Sequence, residues 1–225
     1  MEPVAIIGAG GFGREILDVF DAVNSCTPTF QVLGFIVDPK FGKKGEMINE
    51  KPILGGFDWL DERRASVKVV CGVGDPKDRF HLIDRARRLG VGFCTVVHPN
   101  AVLTSRVRIG EGVVITAGCI FTNNIRIGNH VHVNLNCTVG HDVVIEDFVT
   151  ISPGSHISGG VAIHEGAFIG TGVNIIEKID IGKWSTVGAG SAVIRDLPGN
   201  TVSVGVPAKT VKTKLDGWHF NKNND

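Results

Sequence analysis

Between Val97 and Val193 an apolar residue returns at every sixth position without a slip, through Leu103, Ile109, Ile115, Phe121, Ile127 and so on to Ile181 and Val187. Glycine often follows it, as at Gly110, Gly128, Gly140 and Gly170. Four places after it stands a second small or apolar residue, such as Val113, Cys119, Val131 or Cys137. A helix repeats at about 3.6 residues and a half-buried strand at two, so neither generates this frame. One hexad forming one short face, with successive coils stacked on each other, does generate it: the repeat predicts a β-helix. The unbroken frame leaves no room for a long loop, so any site here must be built from coil side chains and neighbouring subunits.

The residues before the repeat read differently. Val4–Ile7 is a buried strand followed by the turn Gly8-Ala9-Gly10-Gly11-Phe12-Gly13, and helical spacing starts at Arg14. Val32–Val37 is a second strand ending at Asp38, and Val67–Gly74 a third. A short helix is expected over 57–63 and another from Pro76 to about Leu89, with Arg79, His81 and Arg85 among its polar positions. Alternating strands and helices predict a parallel sheet. Gly8, Gly10 and Gly13 match the dinucleotide fingerprint and Asp38 stands where a ribose-binding acid would. The region stops after three or four strands, half of a full dinucleotide fold. It suits the nucleotide of an activated sugar better than NAD, and a purely structural tight turn stays open. The chain thus divides into an α/β, half-Rossmann-like domain over 1–95, the coil over 96–210 and a tail over 211–225.

With 23 basic and 23 acidic side chains the net charge is zero, which argues against a nucleic-acid surface. No apolar run approaches a membrane span and no signal peptide precedes Val4, so a cytoplasmic location is expected. Five scattered cysteines fit a reducing compartment. Cys119 and Cys137 are expected to stack inside the coil as small buried residues.

The opening Gly8–Gly13, the join Val97-His98-Pro99-Asn100-Ala101, the segment Val139-Gly140-His141-Asp142-Val143 and the close Gly205-Val206-Pro207-Ala208-Lys209 together resemble the bacterial sugar acyltransferases. That family holds UDP-4-amino-sugar N-acetyltransferases and the sialic acid O-acetyltransferase type, enzymes of lipopolysaccharide and glycan biosynthesis. The resemblance implies a left-handed parallel β-helix with three hexads per coil and a homotrimer with sites between subunits. It also implies acetyl-CoA as co-substrate, no metal, and a nucleotide-linked (UDP or dTDP) amino-dideoxy sugar as acceptor. By the same resemblance His141 is the general base and Asp142 its orienting acid, although neighbouring strand side chains diverge. Asn134 would line the site, and the Gly159 N–H would meet the acetyl carbonyl. Thr171 and Ala189 would flank the pantetheine arm, with Pro207 and Lys209 near the adenine and phosphates. Gly10, Gly11, Phe12, Gly13 and Asp38 would hold the nucleotide sugar. Phe12 stands where many relatives carry a histidine, and Thr150 where some carry a second active-site histidine.

Imidazole titrates near neutral pH, which suits it to take a proton from an attacking amine or hydroxyl. Three other readings compete. One is O-acetylation of sialic acid or a related sugar. Another is a carbonic-anhydrase-like zinc site drawn from His130, His132, His141, His156 and His164. The third is a non-catalytic nucleotide-binding module on a trimerising stem. The α/β domain is expected to cap the N-terminal end of the coil. Residues after Pro198 are expected to cover the other end, anchored by Leu215, Trp218 and Phe220, with Asn221–Asp225 loose.

Overall fold

The computed structural model describes residues 1–220; the terminal 221–225, expected to be loose, lie outside the described residues. In the N-terminal part, β1 (Glu2–Ile7), α1 (Gly11–Cys26), β2 (Phe30–Ile36), β3 (Met47–Ile48), β4 (Lys51–Gly55), α2 (Phe57–Asp61), β5 (Lys68–Cys71), α3 (Pro76–Arg88) and β6 (Gly92–Phe93) follow in order. They build one six-stranded sheet ordered β3-β4-β2-β1-β5-β6, parallel except for the β3–β4 pair. The sheet is therefore wider than the three or four strands expected. The hairpin β3–β4 turns through Asn49 and Glu50, both at positive φ, without the Asn-Gly or Asp-Gly signal of a two-residue turn. β6 has two residues, too few to show a period.

From Val96 onward the chain winds as a three-sided parallel β-helix. Face one stacks Val96–Val97, Val114–Ile115, His132–Val133, Thr150–Ile151, Phe168–Ile169 and Thr186–Val187. Face two stacks Ile120–Phe121, Thr138–Val139, His156–Ile157, Asn174–Ile175 and Ala192–Val193. Face three stacks Val107–Ile109, Ile125–Ile127, Val144–Ile145, Ala162–Ile163 and Asp180–Ile181. Register partners lie one coil apart, so Ile109, Ile127 and Ile145 stack as the hexad frame requires. Cys119 and Cys137 are buried free thiols in the coil core.

From Gly112 to Gly190 every bend between faces uses a residue in the left-handed region: Gly112, Gly118, Asn124, His130, Asn136, Asp142, Phe148, Gly154, Gly160, Gly166, Gly172, Lys178, Trp184 and Gly190. Asparagine, aspartate and glycine adopt this conformation at low cost; large rings do not. His130, Phe148 and Trp184 all fall on the edge between faces three and one, where burial compensates. His130 stacks on Phe148 at 5.3 Å and meets Phe93 edge-on at 4.6 Å, while Phe80 of α3 meets Phe148 and Trp184 edge-on.

That ladder shows where the α/β part sits. It lies along face one rather than over the end of the coil: Val96 and Val114 share a core with α1, and Val114, His132 and Thr150 are buried. The first coil keeps Val97, Ala101, Leu103 and Val107 only partly buried. At the C-terminal end residues after Pro198 do cover the coil, but through a hairpin rather than through the tail. Thr201–Val204 and Lys209–Thr213 form an antiparallel hairpin that places Ala208 in the coil core, its N–H on the Ala192 carbonyl. The hairpin sends the tail back along the side of the molecule, where His219 stacks on Trp184 at 3.9 Å. Leu215 is 83% exposed and no anchor; Phe220 is 62% exposed but meets Phe80 edge-on at 5.8 Å, and Trp218 is half-buried.

Candidate functional site

The first half of the site lies at the C-terminal ends of β1, β2 and β5. Gly8 sits at φ +95°, and a Cβ on Gly13 would strike the Gly8 carbonyl, so both glycines are needed for the turn to close. Gly10 and Gly11 face open space instead. Gly10 caps α1 without a side-chain bond, and the first turn holds no acid, so its N–H groups stay available to an anion. A cavity of about 370 Å³ opens beside them, lined by Gly8, Gly10, Asp38, Phe41, Val73 and Arg85 among others. Gly11, Phe12 and Gly13 do not line it. The Phe12 ring turns away to pack on His132, centroids 4.8 Å apart.

The second half lies on the edges of face two. His141 stands on the edge shared with face three, its side chain 69% exposed. Its Nδ1 is 2.8 Å from Asp142 Oδ2. The divergence expected of strand neighbours does not apply, because Asp142 is a corner residue at φ +60° and folds back onto the imidazole. Hydrogen bonds from His141 and from Asn124 hold the Asp142 carboxyl below its ordinary range. A carboxylate accepts only, so Nδ1 carries the proton and Nε2 keeps its lone pair. The imidazole lies over Gly159 one coil along, where a Cβ would come 2.5 Å from Nε2; only glycine leaves room for the ring. The Gly159 N–H has no acceptor among the described residues.

The other edge of face two, shared with face one, carries a column of small or apolar exposed residues. Leu135, Pro153, Thr171 and Ala189 are joined coil to coil by N–H bonds from Gly154, Gly172 and Gly190. Asn134 is buried beside this column, its Nδ2 donating to the Ile151 carbonyl at 3.0 Å. Exposed Pro207 and Lys209 lie at the hairpin that closes the coil. Within one chain, then, His141, Asp142 and Gly159 share one edge. Asn134, Thr171 and Ala189 share another, and the glycine turn lies over face one.

Thr150 is not beside His141. It is buried under the α/β part, where its hydroxyl donates to the Gly74 carbonyl at 2.7 Å. The five histidines weighed as zinc ligands are dispersed. His130 and His132 face Arg87 and Arg79, His156 pairs with Thr138, and His164 lies between Glu146 and Asp180. Among the described residues no group of three or more His, Cys, Asp or Glu side chains has the arrangement to hold a metal ion.

Arg79 is the residue that the sequence reading misplaced, as a polar position of α3. A signal was present: Pro76, Arg79, Ile83 and Ala86 are buried at helical spacing, so the arginine stands within the apolar stripe.

Residues 3–86 match the family model described as the PglD N-terminal domain. A UDP-N-acetylbacillosamine N-acetyltransferase of Bacillus subtilis (strain 168) is 37% identical over 125 residues, a segment spanning half of that protein. PerB of Caulobacter crescentus, solved with CoA and GDP-perosamine, is 31% identical, with 93% of this chain and 97% of that one aligned at a TM-score of 0.83. The acetyltransferase domain of PglB from Neisseria gonorrhoeae FA1090, solved with acetyl coenzyme A, is 28% identical over 93% and 99% of the two chains, at 0.84. WeeI from Acinetobacter baumannii AYE is 31% identical, with 94% of this chain and 100% of that one aligned at 0.84. The three-sided coil therefore has the left-handed form of these enzymes, and the chain belongs to the left-handed β-helix family of bacterial nucleotide-sugar N-acetyltransferases.

Proposed function

We propose that the protein transfers the acetyl group of acetyl-CoA to the 4-amino group of a nucleotide-linked amino-dideoxy sugar, with His141 as general base. The observation that carries this reading is the His141–Asp142 pair, an exposed imidazole whose Nε2 is left as acceptor above the unpaired N–H of Gly159. Nε2 takes the proton of the attacking amine as the carbon–nitrogen bond forms. The Gly159 N–H meets the oxygen on which charge develops. The imidazolium then returns its proton to the departing thiolate, leaving His141 as it began.

Residues 1–95 would hold the nucleotide, its phosphates at the open N-terminus of α1 around Gly10, Gly11 and Gly13 and its ribose toward Asp38. The pantetheine arm would follow the column of Thr171 and Ala189 past Asn134, toward Pro207 and Lys209. The His141 edge and the pantetheine column flank opposite edges of face two, so a threefold assembly with face two turned inward would bring one edge of a chain against the other edge of its neighbour. Face two carries the exposed aliphatics Val102, Ile120, Ile176 and Ile194, which such packing would bury. No described helix is long and apolar enough to cross a membrane, and all five cysteines are free. A cytoplasmic enzyme fits both.

The test is a thiol-release screen with acetyl-CoA against UDP-, dTDP- and GDP-linked 4-amino sugars, with free sialic acid as control. One nucleotide amino sugar should drive release well above background. Release with sialic acid alone, or with none of them, would contradict the reading.

A further inference from the structure

The seam between the α/β part and face one holds a cation with no anion against it. Arg79 is fully buried, and no carboxylate is among its hydrogen-bond partners; Asp75 acts on it only through space. Nη1 donates to the carbonyls of Val73 and Gly74 at 3.1 and 3.0 Å and to His132 Nδ1 at 2.9 Å. Nη2 donates to the carbonyls of Phe148 and Val149 at 2.6 and 3.2 Å and to Thr150 Oγ1 at 2.9 Å. A buried pair or cation is a poor route to stability alone, since well-packed apolar groups of similar volume serve as well or better. What the guanidinium provides is direction: five N–H groups in a fixed plane.

Both directions end at the nucleotide half of the site. Val73 lines the cavity beside Gly10, and its loop is interlocked with the glycine turn: the Val73 side chain packs on Gly8, and a Cβ on Gly72 would meet Gly13 Cα at 2.6 Å. Thr150 adds a second strap to the same loop through Gly74. On the other side, the arginine donates to Nδ1 of His132, which fixes the ring on which Phe12 rests. We infer that Arg79 is a positioning residue for the nucleotide-linked substrate, holding the Val73 wall of its pocket through the loop 72–74 and the first turn of α1 through the His132 ring that supports Phe12. This rests on the proposed function. The His141 edge and the pantetheine column are built from coil residues outside this clamp, so acetyl-CoA should be indifferent to it.

The experiment compares wild type with Arg79→Met and Thr150→Val. Its readouts are calorimetric binding of UDP, GDP and dTDP, the two KM values, thermal unfolding and light scattering. Arg79→Met should weaken binding of the preferred nucleotide, and raise the sugar KM, by about tenfold, as expected for a displaced wall. The acetyl-CoA KM should stay within about twofold, because its track does not touch the clamp. Thr150→Val should move the same quantities the same way by less, and it decides the matter if Arg79→Met does not fold. Nucleotide affinity like wild type in folded variants, or equal loss for both co-substrates, would overturn the inference. A wild type that binds a nucleotide but transfers no acetyl defeats the proposed function while the affinity ratio still judges the clamp. Binding of none of the three nucleotides defeats both.

Discussion

An imidazole held at Nδ1 by a carboxylate has its tautomer chosen for it, and at residue 141 this happens because residue 142 bends the chain. The base contributes by proton transfer in the transition state, so His141→Ala should keep the fold and acetyl-CoA binding while lowering kcat by about 10²-fold or more. Steady-state kinetics with an unfolding curve on the same sample would check this. Asp142 is held below the ordinary carboxylate range by His141 and Asn124. It therefore stays ionised to lower pH than an ordinary carboxylate. The acid limb of log kcat/KM should fall with a slope of about one, a single proton, and a slope near two would show the carboxylate titrating with the base. The sequence placed His141 outside the prism through its place in the hexad. It did not give the partner's geometry, because a left-handed corner at an aspartate has no period of its own.

At the scale of elements, the coil faces were legible because each inward position repeats. The seam was not, because it is made by outward residues of face one whose burial depends on another element. His130 shows the consequence. Burial first, then Arg87 and Arg79, push its imidazole down to about 3, and His132 is lowered by the same kinds of cause. In the unfolded chain these imidazoles titrate near their ordinary value of about 6.5, so between there and about pH 3 the unfolded state binds more protons. Stability should thus be present above that window and fall as pH drops through it, by about 1.4 kcal/mol per pH unit for each histidine. Denaturant unfolding at a series of pH values would show it. His130→Phe, which keeps a ring against Phe93 and Phe148, should remove about one proton from the slope. The hairpin β3–β4 and the C-terminal reversal escaped the sequence for a related reason: both are set by short pairings and backbone turns, not by apolar periodicity.

For the whole molecule, one chain holds the parts of the site on two edges of face two and over face one. Exposed Ile120, Ile176 and Ile194 between those edges mark the surface a neighbour would cover. If chains pack through this face as proposed, Ile176→Arg should give monomers in light scattering and abolish acetyl transfer, while the coil, whose core faces the other way, stays folded. A monomeric wild type would remove the inter-chain site. The most direct measurement mixes two inactive chains. His141→Ala lacks the base. Gly10→Asp keeps a good helix cap with open space for its side chain, but sets a carboxylate where the phosphates would approach. If each site takes the turn from one chain and the imidazole from the next, random co-assembly of the two variants should restore about one quarter of wild-type activity. Recovery of none, from stable mixed trimers, would place turn and base in the same chain and contradict the account.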